Sequence, residues 1–520
     1  MKIVTAAAMR SLDRLTVERL GLSDKDLMEN AGSAVAAFVH RQFSSRPVKV
    51  FCGKGANGGD GLVAARKLHQ QGATVEVFLL AEPSQFSGSA AIMLEMLPVK
   101  AAVLASEEEV SAALSEVKSS ESVVIDAILG TGFRPPVTGL TTAVIAAINA
   151  SGAPVVSVDL PSGSEADSEQ PSPPPDAIRA SAIVTFTAFK PIHAFAYGNV
   201  PTVVASIGTP PDAIVSDFGM ERIAPPDFRA LFAPRAPQAN KGDYGHALVM
   251  GGSVGKAGAA AMAGMAALRM GAGLVTVAVP HSVLATVAGF MPELMTFSLP
   301  ENNKGALSIL ALESKREMMQ GKNVIAIGPG LSRDPEAAQL ARALFDRSEG
   351  PLVIDADGLN AFEGHTENLD GNRHPLVLTP HPGEMARLTG LTTEKVQADR
   401  AAVARDFARR HHAWVVLKGH RTLVAEPGGN VWINCTGNPG MATGGTGDIL
   451  TGMITGLVAQ FPARITQAVV AAVYLHGLAG DFASRALGEK GMVATDLLSF
   501  LPQAITSLQP SESGIVQVCP

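Results

Sequence analysis

Apolar and polar positions alternate along the chain between two periods, one of strands and one of helices. Apolar residues at helical spacing predict a helix over Leu27–Gln42. A β-branched run then predicts a strand over Val48–Cys52, followed by a glycine-rich loop over Gly53–Gly61. A helix over Leu62–Gln71 and a valine-rich strand over Ala73–Leu80 complete a βαβ unit with the glycine loop at its first turn. Further strands are predicted at Ser122–Ile128, Pro154–Asp159 and Ala182–Ala188, with a helix at Thr141–Ala150. Strands this continuously apolar imply a parallel sheet covered on both faces.

Between about Ile207 and Asn240 periodicity fades and prolines come in pairs, Pro210–Pro211 and Pro225–Pro226, which marks a domain boundary. The proline-rich Pro171–Asp176 reads instead as a loop inside the first domain, because strand pattern resumes after it. Beyond the boundary the pattern restarts. Strands are predicted at Gly245–Gly251, Leu274–Val279, Asn323–Ile327, Leu352–Asp355, Leu376–Thr379 and Trp414–Leu417. Helices are predicted at Ala259–Met270, Glu336–Phe345 and Val396–His411, and again after Gly447. Thr422–Ala425 and Val431–Asn434, joined by Pro427–Gly429, read as a hairpin. The fold class is therefore α/β, in two domains, the first a doubly wound sheet.

Composition narrows the function. In 520 residues, 47% hydrophobic and 17% charged, there is ample material for two cores and no sign of disorder. A net charge of −7 without a Lys/Arg cluster argues against a nucleic-acid surface. Cys52, Cys435 and Cys519 are too scattered for a disulfide framework or a zinc site. No apolar run reaches the ~20 residues that cross a bilayer. The nearest, Ala257–Pro280, is broken by Arg269 and its glycines. Charges within the N-terminal stretch exclude a secretory signal, so a cytoplasmic protein is expected. The 52 glycines, with aromatics at only 5%, suggest backbone brought close to a ligand.

Three motifs in the first half sit at predicted strand ends: Gly53-Lys-Gly-Ala-Asn-Gly-Gly-Asp-Gly61, Asp126-Ala-Ile-Leu-Gly-Thr-Gly132 and Asp159-Leu-Pro-Ser-Gly163. Ligands of doubly wound sheets bind beyond those ends. One aspartate there is commonly a cap, but three beside glycines make a site pattern. Asn57, Asp126 and Ser162 offer only hard oxygens, suited to an alkali or alkaline-earth ion rather than zinc. In the second half, Asn438-Pro-Gly-Met-Ala-Thr-Gly-Gly-Thr-Gly-Asp448 leads into a helix whose free N–H groups favour a phosphoryl group. Asp448 at that entrance is placed to take a proton from a hydroxyl undergoing phosphorylation. Around it lie Lys418-Gly-His-Arg-Thr422, Gly328-Pro-Gly330, Asp355-Ala-Asp-Gly-Leu-Asn360 and Thr379-Pro-His-Pro-Gly-Glu384, with His381 on a stiff loop. Gly252-Ser-Val-Gly-Lys-Ala-Gly258 lacks Walker spacing.

With Met28-Glu-Asn-Ala-Gly32, the first three motifs resemble the NAD(P)H-hydrate epimerase domain, over residues 1–215. That resemblance implies a Rossmann-like fold and a dinucleotide site at Ala56, Asn57, Gly58, Gly59, Asp60, Gly130, Thr131, Gly132, Phe133, Arg134 and Asp159. It also implies K+ held by Asn57, Asp126 and Ser162; Asp159, at a strand end with Pro161 and Gly163 fixing the turn after it, is the expected acid or base. Ala56 departs from the family, which usually carries Asn there. The second-half motifs, with Lys241-Gly-Asp-Tyr-Gly-His246, resemble the ADP/ATP-dependent NAD(P)H-hydrate dehydratase over residues 225–505. A ribokinase-like fold is implied. So are hydrate-binding Ala259, Gly330, His381 and Asp448, and nucleotide-binding Lys418, Gly419, His420, Arg421, Thr422 and Gly447. Asn240 and Ser332 depart from that pattern, where His and Gly are usual.

Together the two halves imply a bifunctional repair enzyme for hydrated NADH and NADPH. The first half would epimerise the hydrate at C6. The second would phosphorylate the C6 hydroxyl from ADP or ATP, with Mg2+, and eliminate phosphate, Asp448 acting as base. The resemblance further implies a homo-oligomer, small-molecule partners, and neither nucleic acid nor membrane. Two other readings compete. One is a vitamin or sugar kinase; the other treats the first half as a non-catalytic dinucleotide sensor, a reading that Ala56 motivates.

Overall fold

The computed structural model describes residues 1–44, 46–115, 121–314 and 316–508. Cys519 lies outside them. The chain forms two compact units, one from Met1 to Arg222 and a second beginning at Ile223.

The first unit is built on a parallel sheet of β1 (Val48–Cys52), β2 (Val75–Leu79), β3 (Ala101–Val103), β4 (Val123–Ala127), β5 (Val155–Val158), β6 (Ala182–Phe186) and β7 (Thr202–Ala205). Their order is β3-β2-β1-β4-β5-β6-β7. Chain direction across the sheet reverses between β1 and β4, which lie in register with Val50 opposite Ile125. That reversal opens a crevice at the carboxyl ends of the two strands. The central strands are buried along their whole length, as their continuous apolar pattern requires. A short strand β8 (Met220–Arg222) ends the unit, and Arg222 N–H donates to the Met1 carbonyl at 2.8 Å.

The structure departs from the sequence reading at the first glycine loop. Only Gly53–Gly55 are loop, and the helix begins at Ala56, running Ala56–Gln70. Asn57, Gly58, Gly59 and Asp60 are thus helical. Close packing is the physical reason for the glycines. A Cβ at Gly53 would stand 2.1 Å from the Ile128 carbonyl, one at Gly58 1.7 Å from the Gly53 carbonyl, and one at Gly59 2.5 Å from Met28 Sδ. A helix Ala6–Leu20 and strand β3 also went unread.

The second unit holds β9 (His246–Met250), β10 (Leu274–Pro280), β11 (Met295–Leu299), β12 (Val324–Ile327), β13 (Leu352–Ile354), β14 (Leu376–Leu378), β15 (Trp414–Leu417), β16 (Leu423–Ala425) and β17 (Val431–Ile433). The order is β11-β10-β9-β12-β13-β14-β15-β16-β17, parallel as far as β15 and then antiparallel through the expected hairpin. The helix expected over Val396–His411 is two, Thr393–Ala398 and Arg400–His411. Asp399 breaks them with a non-helical backbone and caps the second by accepting from Ala402 N–H. Helix Ile465–Leu487 has the length and composition to cross a membrane, a feature missed in the sequence, yet 67% of its apolar window is buried inside the fold.

Helices Ala257–Arg269 and Thr446–Gln460 pack on one face of this sheet at unusually short range. Gly452 and Gly456, one turn apart, make this possible: a Cβ there would meet the Ala263 and Ala267 carbonyls at 2.0 and 2.5 Å. Gly452→Ala is therefore expected to invert the usual helix propensity gain. Instead of stabilising, it should destabilise the second unit by about 1–3 kcal/mol through overpacking. Thermal unfolding of the purified variant reads the sign, and a raised melting temperature would contradict this packing.

Candidate active sites

In the first unit, the ends of β1, β4, β5 and β6 open onto a cavity of about 890 Å³. Ala56, Asn57 and Asp60 line it from the helix start, Gly130–Phe133 from the loop after β4, and Asp159 from the end of β5. Other expected residues stand apart from the wall. Gly58 and Gly59 are packing glycines, and Arg134 points its guanidinium back to the Phe133 carbonyl at 2.9 Å.

Asn57, Asp126 and Ser162 do converge. Ser162 Oγ–H donates to Asp126, Ser162 N–H donates to Asp126 Oδ2 at 2.9 Å, and Ser157 Oγ–H reaches the same oxygen at 2.8 Å. Asn57 and Ser162 both meet the Leu129 carbonyl, at 3.0 and 3.3 Å. Burial raises the Asp126 carboxyl above the ordinary range, against the lowering effect of its serine donors. One carboxylate among neutral hydroxyl, amide and carbonyl oxygens is a weak-field, all-oxygen set. It fits a monovalent cation better than a dehydrated divalent one. Among the described residues no group of three His, Cys, Asp or Glu gathers for a transition metal.

Asp159 is held in a different way. It has φ 62, and Leu160 N–H donates to the Val158 carbonyl at 2.7 Å across it. Thr187 at the end of β6 repeats this strained turn, with φ 64 and Ala188 N–H bonded to the Phe186 carbonyl. Such strain concentrates where a side chain must be aimed. Lys190 Nζ donates to Asp159 Oδ1 at 2.7 Å and Thr185 Oγ1 does so at 2.8 Å. Burial pushes the Asp159 carboxyl upward, but the Lys190 ammonium prevails and holds it below its usual value. His193 clamps the pair: its Nδ1 accepts from Lys190 N–H at 3.0 Å, so its Nε2 carries the proton donated to the Asp159 carbonyl at 2.8 Å. Burial and the neighbouring Lys190 drop its pKa to about 3, so the ring is neutral. Lys190 and His193 escaped the sequence reading; the only hint was a lysine inside an apolar segment after β6.

The second unit gathers its polar groups at the ends of β13, β14 and β15. Asp355, 1% exposed, sits at the centre. Its Oδ1 accepts from Lys418 Nζ and from Thr379 Oγ1, both at 2.7 Å, and its Oδ2 accepts from Thr451 Oγ1 at 2.8 Å. Lys418 also faces Glu384 at 3.8 Å. Lys418 loses ammonium character to burial, yet Asp355 and Glu384 outweigh this and hold it protonated above its ordinary range. Gly447 lies beside it: a Cβ there would be 3.4 Å from Lys418 Nζ. So the lysine and the start of helix Thr446–Gln460 point at one place. Burial, then repulsion from Asp355, raise the Asp448 carboxyl to about 7, with Lys418 opposing. A base poised there suits neutral pH.

Gly330, with φ 66, closes the same edge. A Cβ on it would stand 3.2 Å from Ala259 Cβ, which brings these two expected residues together. His381 caps helix Pro382–Thr389, its Nδ1 accepting from Gly383 N–H at 3.0 Å, while the rest of the ring is half exposed. In the Lys418–Thr422 loop, Gly419 takes φ 136 and Arg421 φ 55. Arg400 donates to the Leu417, Lys418 and His420 carbonyls and so braces the loop from behind. Arg421 is buried and donates to the Cys435 carbonyl at 3.1 Å. Thr422 Oγ1 bonds the Gly419 carbonyl at 3.0 Å. Ser332, where a glycine is usual, has φ 84, the conformation glycine adopts most easily. Thr451 was missed as a site residue, and Asp355 was legible only as the head of a motif near Asp448, because their partnership joins segments distant in the chain.

Two family profiles cover the chain in sequence. One described as YjeF-related protein N-terminus matches residues 24–192, and one described as NAD(P)H-hydrate dehydratase matches residues 247–503. The bifunctional NAD(P)H-hydrate repair enzyme of Moorella thermoacetica is 45% identical, over 99% of both chains. The enzyme of the same name from Escherichia coli K12 is 34% identical, over 96% of this chain and 92% of its own. Among solved structures, a ribokinase-like superfamily protein from Enterococcus faecalis superposes with TM-score 0.50 at 29% identity, covering 57% of this chain and 99% of that one.

The Asp159–Lys190 pair makes a prediction independent of function. Lys190→Met strands a buried carboxylate, which should destabilise the first unit near neutral pH by about 2–4 kcal/mol. A folded-state pKa below the unfolded one stabilises only above the carboxylate range. The deficit should therefore shrink as pH falls and Asp159 takes up a proton. Denaturant unfolding at several pH values measures it, and a pH-independent or absent deficit would show that the pair is not coupled.

Proposed function

We propose how the two sites work from the premise that the chain belongs to the family of bifunctional NAD(P)H-hydrate repair enzymes, in which an epimerase half precedes a nucleotide-dependent dehydratase half. The chain repairs hydrated NADH and NADPH. The observation that carries the dehydratase reading is the convergence of Lys418, Gly447 and Asp448 at the start of helix Thr446–Gln460.

There, the helix N–H groups and Lys418 hold the transferring phosphate of ADP or ATP, while Asp355 fixes Lys418 in direction and charge. Asp448 takes the proton of the hydrate's C6 hydroxyl as its oxygen bonds to phosphorus. Phosphate is a far better leaving group than hydroxide. The ring nitrogen lone pair then expels it, and loss of a C5 proton from the resulting iminium returns the dihydronicotinamide. Ala259, Gly330 and His381 line the hydrate's side of the cleft, and Gly419–Thr422 the nucleotide's. Mg2+ is expected with the nucleotide phosphates. The first half, matched by the YjeF-related profile, and the full-length likeness to named repair enzymes favour repair over a vitamin or sugar kinase.

In the first unit the cavity receives the dinucleotide, and Asp159 is the group that moves a proton at C6. Its strained backbone and its Lys190 partner support a carboxylate kept ionised and aimed. Asn57, Asp126 and Ser162 would hold K+, which supplies a fixed positive charge at the loop ends. Because the dehydratase accepts one C6 epimer, an epimerase in the same chain makes both repairable. The cofactor substrates and the buried free thiols Cys52 and Cys435 support a cytoplasmic enzyme. A homo-oligomer remains the expected assembly.

Asp448→Asn should lower nucleotide-dependent return of dihydronicotinamide absorbance by ~10²–10⁴-fold and leave epimerisation intact. In the wild type, the dehydration rate should fall as pH drops below about 7, where Asp448 gains its proton. Retention of more than a tenth of the rate would remove Asp448 as base. Epimerisation should also slow after dialysis into potassium-free buffer and recover with KCl. An unchanged rate would show that the oxygen cluster holds no required ion.

A further inference from the structure

Helix Ala6–Leu20 belongs to none of the glycine motifs, yet its Met9, Arg10 and Asp13 line the first unit's cavity. It is pinned there from both ends. Val4 N–H donates to the Phe189 carbonyl at 2.9 Å, next to Lys190; Ala6 N–H donates to Asp167 at 2.6 Å; Thr16 Oγ1 meets Thr209 Oγ1 at 3.1 Å. So the position of Asp13 over the cavity is fixed. Its Oδ1 is shielded from solvent and has no hydrogen-bond partner among the described residues. A buried carboxyl oxygen left without a partner costs free energy unless something else satisfies it. The same carboxyl group lines the cavity that also holds Asp159.

We infer that Asp13 is a second catalytic residue of epimerisation, the acid that gives a proton to the ring nitrogen of the hydrate while Asp159 takes one from the C6 hydroxyl. The inference rests on the epimerase reading of this cavity. The C6 centre is a hemiaminal. As the Asp159 carboxylate removes the hydroxyl proton, the C6–O bond becomes a carbonyl and the C6–N1 bond breaks. The electron pair moves to N1, which takes the Asp13 proton. Rotation about C5–C6 turns the other carbonyl face towards N1. Ring closure then returns one proton to Asp13 and one from Asp159 to oxygen. No atom or charge is gained or lost, and the two epimers interconvert.

The charges around the two groups fit these opposite duties. Burial, outweighing the attraction of Lys190, and repulsion from Asp159 and Asp24 raise the Asp13 carboxyl to about 6. Lys190 holds Asp159 low. Paired carboxyls whose environments push them apart are the mark of an acid and a base in one site. Asp60, from the neighbouring helix, also lies in this field; burial, then Asp159 and Asp13, raise it well above its usual value. Asp60 is the residue that competes for the role.

The test is chromatographic separation of the two NADPH-hydrate epimers over time, without nucleotide, in full-length Asp13→Asn, Asp60→Asn and Asp159→Asn proteins. Asp13→Asn should interconvert them ~10²–10⁴-fold more slowly. Wild-type rate should fall as pH rises past about 6, and Asp13→Asn should lose that alkaline limb. Far-UV circular dichroism and thermal unfolding matched to the wild type report that the first unit is folded, since dehydration belongs to the second; should Asp13→Asn precipitate, Asp13→Ser reads the same quantity. The inference is overturned if Asp13→Asn stays within tenfold of wild type while Asp159→Asn is slow, or if the alkaline limb is lost in Asp60→Asn instead. If all three variants keep the wild-type rate, the failure lies with the epimerase reading of the cavity.

Discussion

A carboxylate buried at the carboxyl end of a parallel strand must be given donors or a cation, because the interior will not tolerate it alone. Three aspartates in this chain obey that constraint. Asp126 takes serine hydroxyls and a backbone N–H. Asp159 takes Lys190 and Thr185. Asp355 takes Lys418, Thr379 and Thr451. Parallel sheets gather their strand ends on one edge, so satisfying these charges draws further polar groups from neighbouring strands and loops to the same place. The chemistry of each unit grows out of that requirement. Neutral hydroxyls leave a carboxylate free to meet a weakly bound cation. An ammonium makes a fixed dipole that can aim a base or a phosphate-binding group.

Backbone proximity is the second condition. Gly53, Gly58, Gly330 and Gly452 stand where a Cβ would run into a carbonyl oxygen between 1.7 and 2.5 Å away. The contacts at Gly53, Gly58 and Gly330 set helix starts hard against strand ends, and that at Gly452 packs two helices together, so N–H groups and side chains gather at one sheet edge. The glycine content that marked the chain as ligand-binding thus serves packing as much as direct contact.

Most of the strands were legible because they are continuous apolar runs, and their ends shifted by only a residue or two; β3, β7 and β11, which are partly exposed, were not read. The first glycine loop was misread, because glycines signal a turn locally while here a tertiary contact with Ile128 and Met28 requires them inside a helix. Asp399 split a helix that apolar spacing alone had joined. Motif residues such as Asn57, Asp126, Ser162 and Asp448 stood out by their strand-end setting. Lys190, His193, Thr451 and Asp13 did not, since each gains meaning only from a partner or a cavity wall contributed by a distant segment.

In the proposed division of labour, each unit carries its own site at its own sheet edge and only the second handles the nucleotide. Crystals of the full-length protein soaked with ADP and with NADPH hydrate test it most directly. ADP density is expected with its phosphates at the start of helix Thr446–Gln460 beside Lys418, and none in the cavity lined by Asp159. ADP phosphates bound instead against Asn57 and Gly130–Phe133 would contradict it.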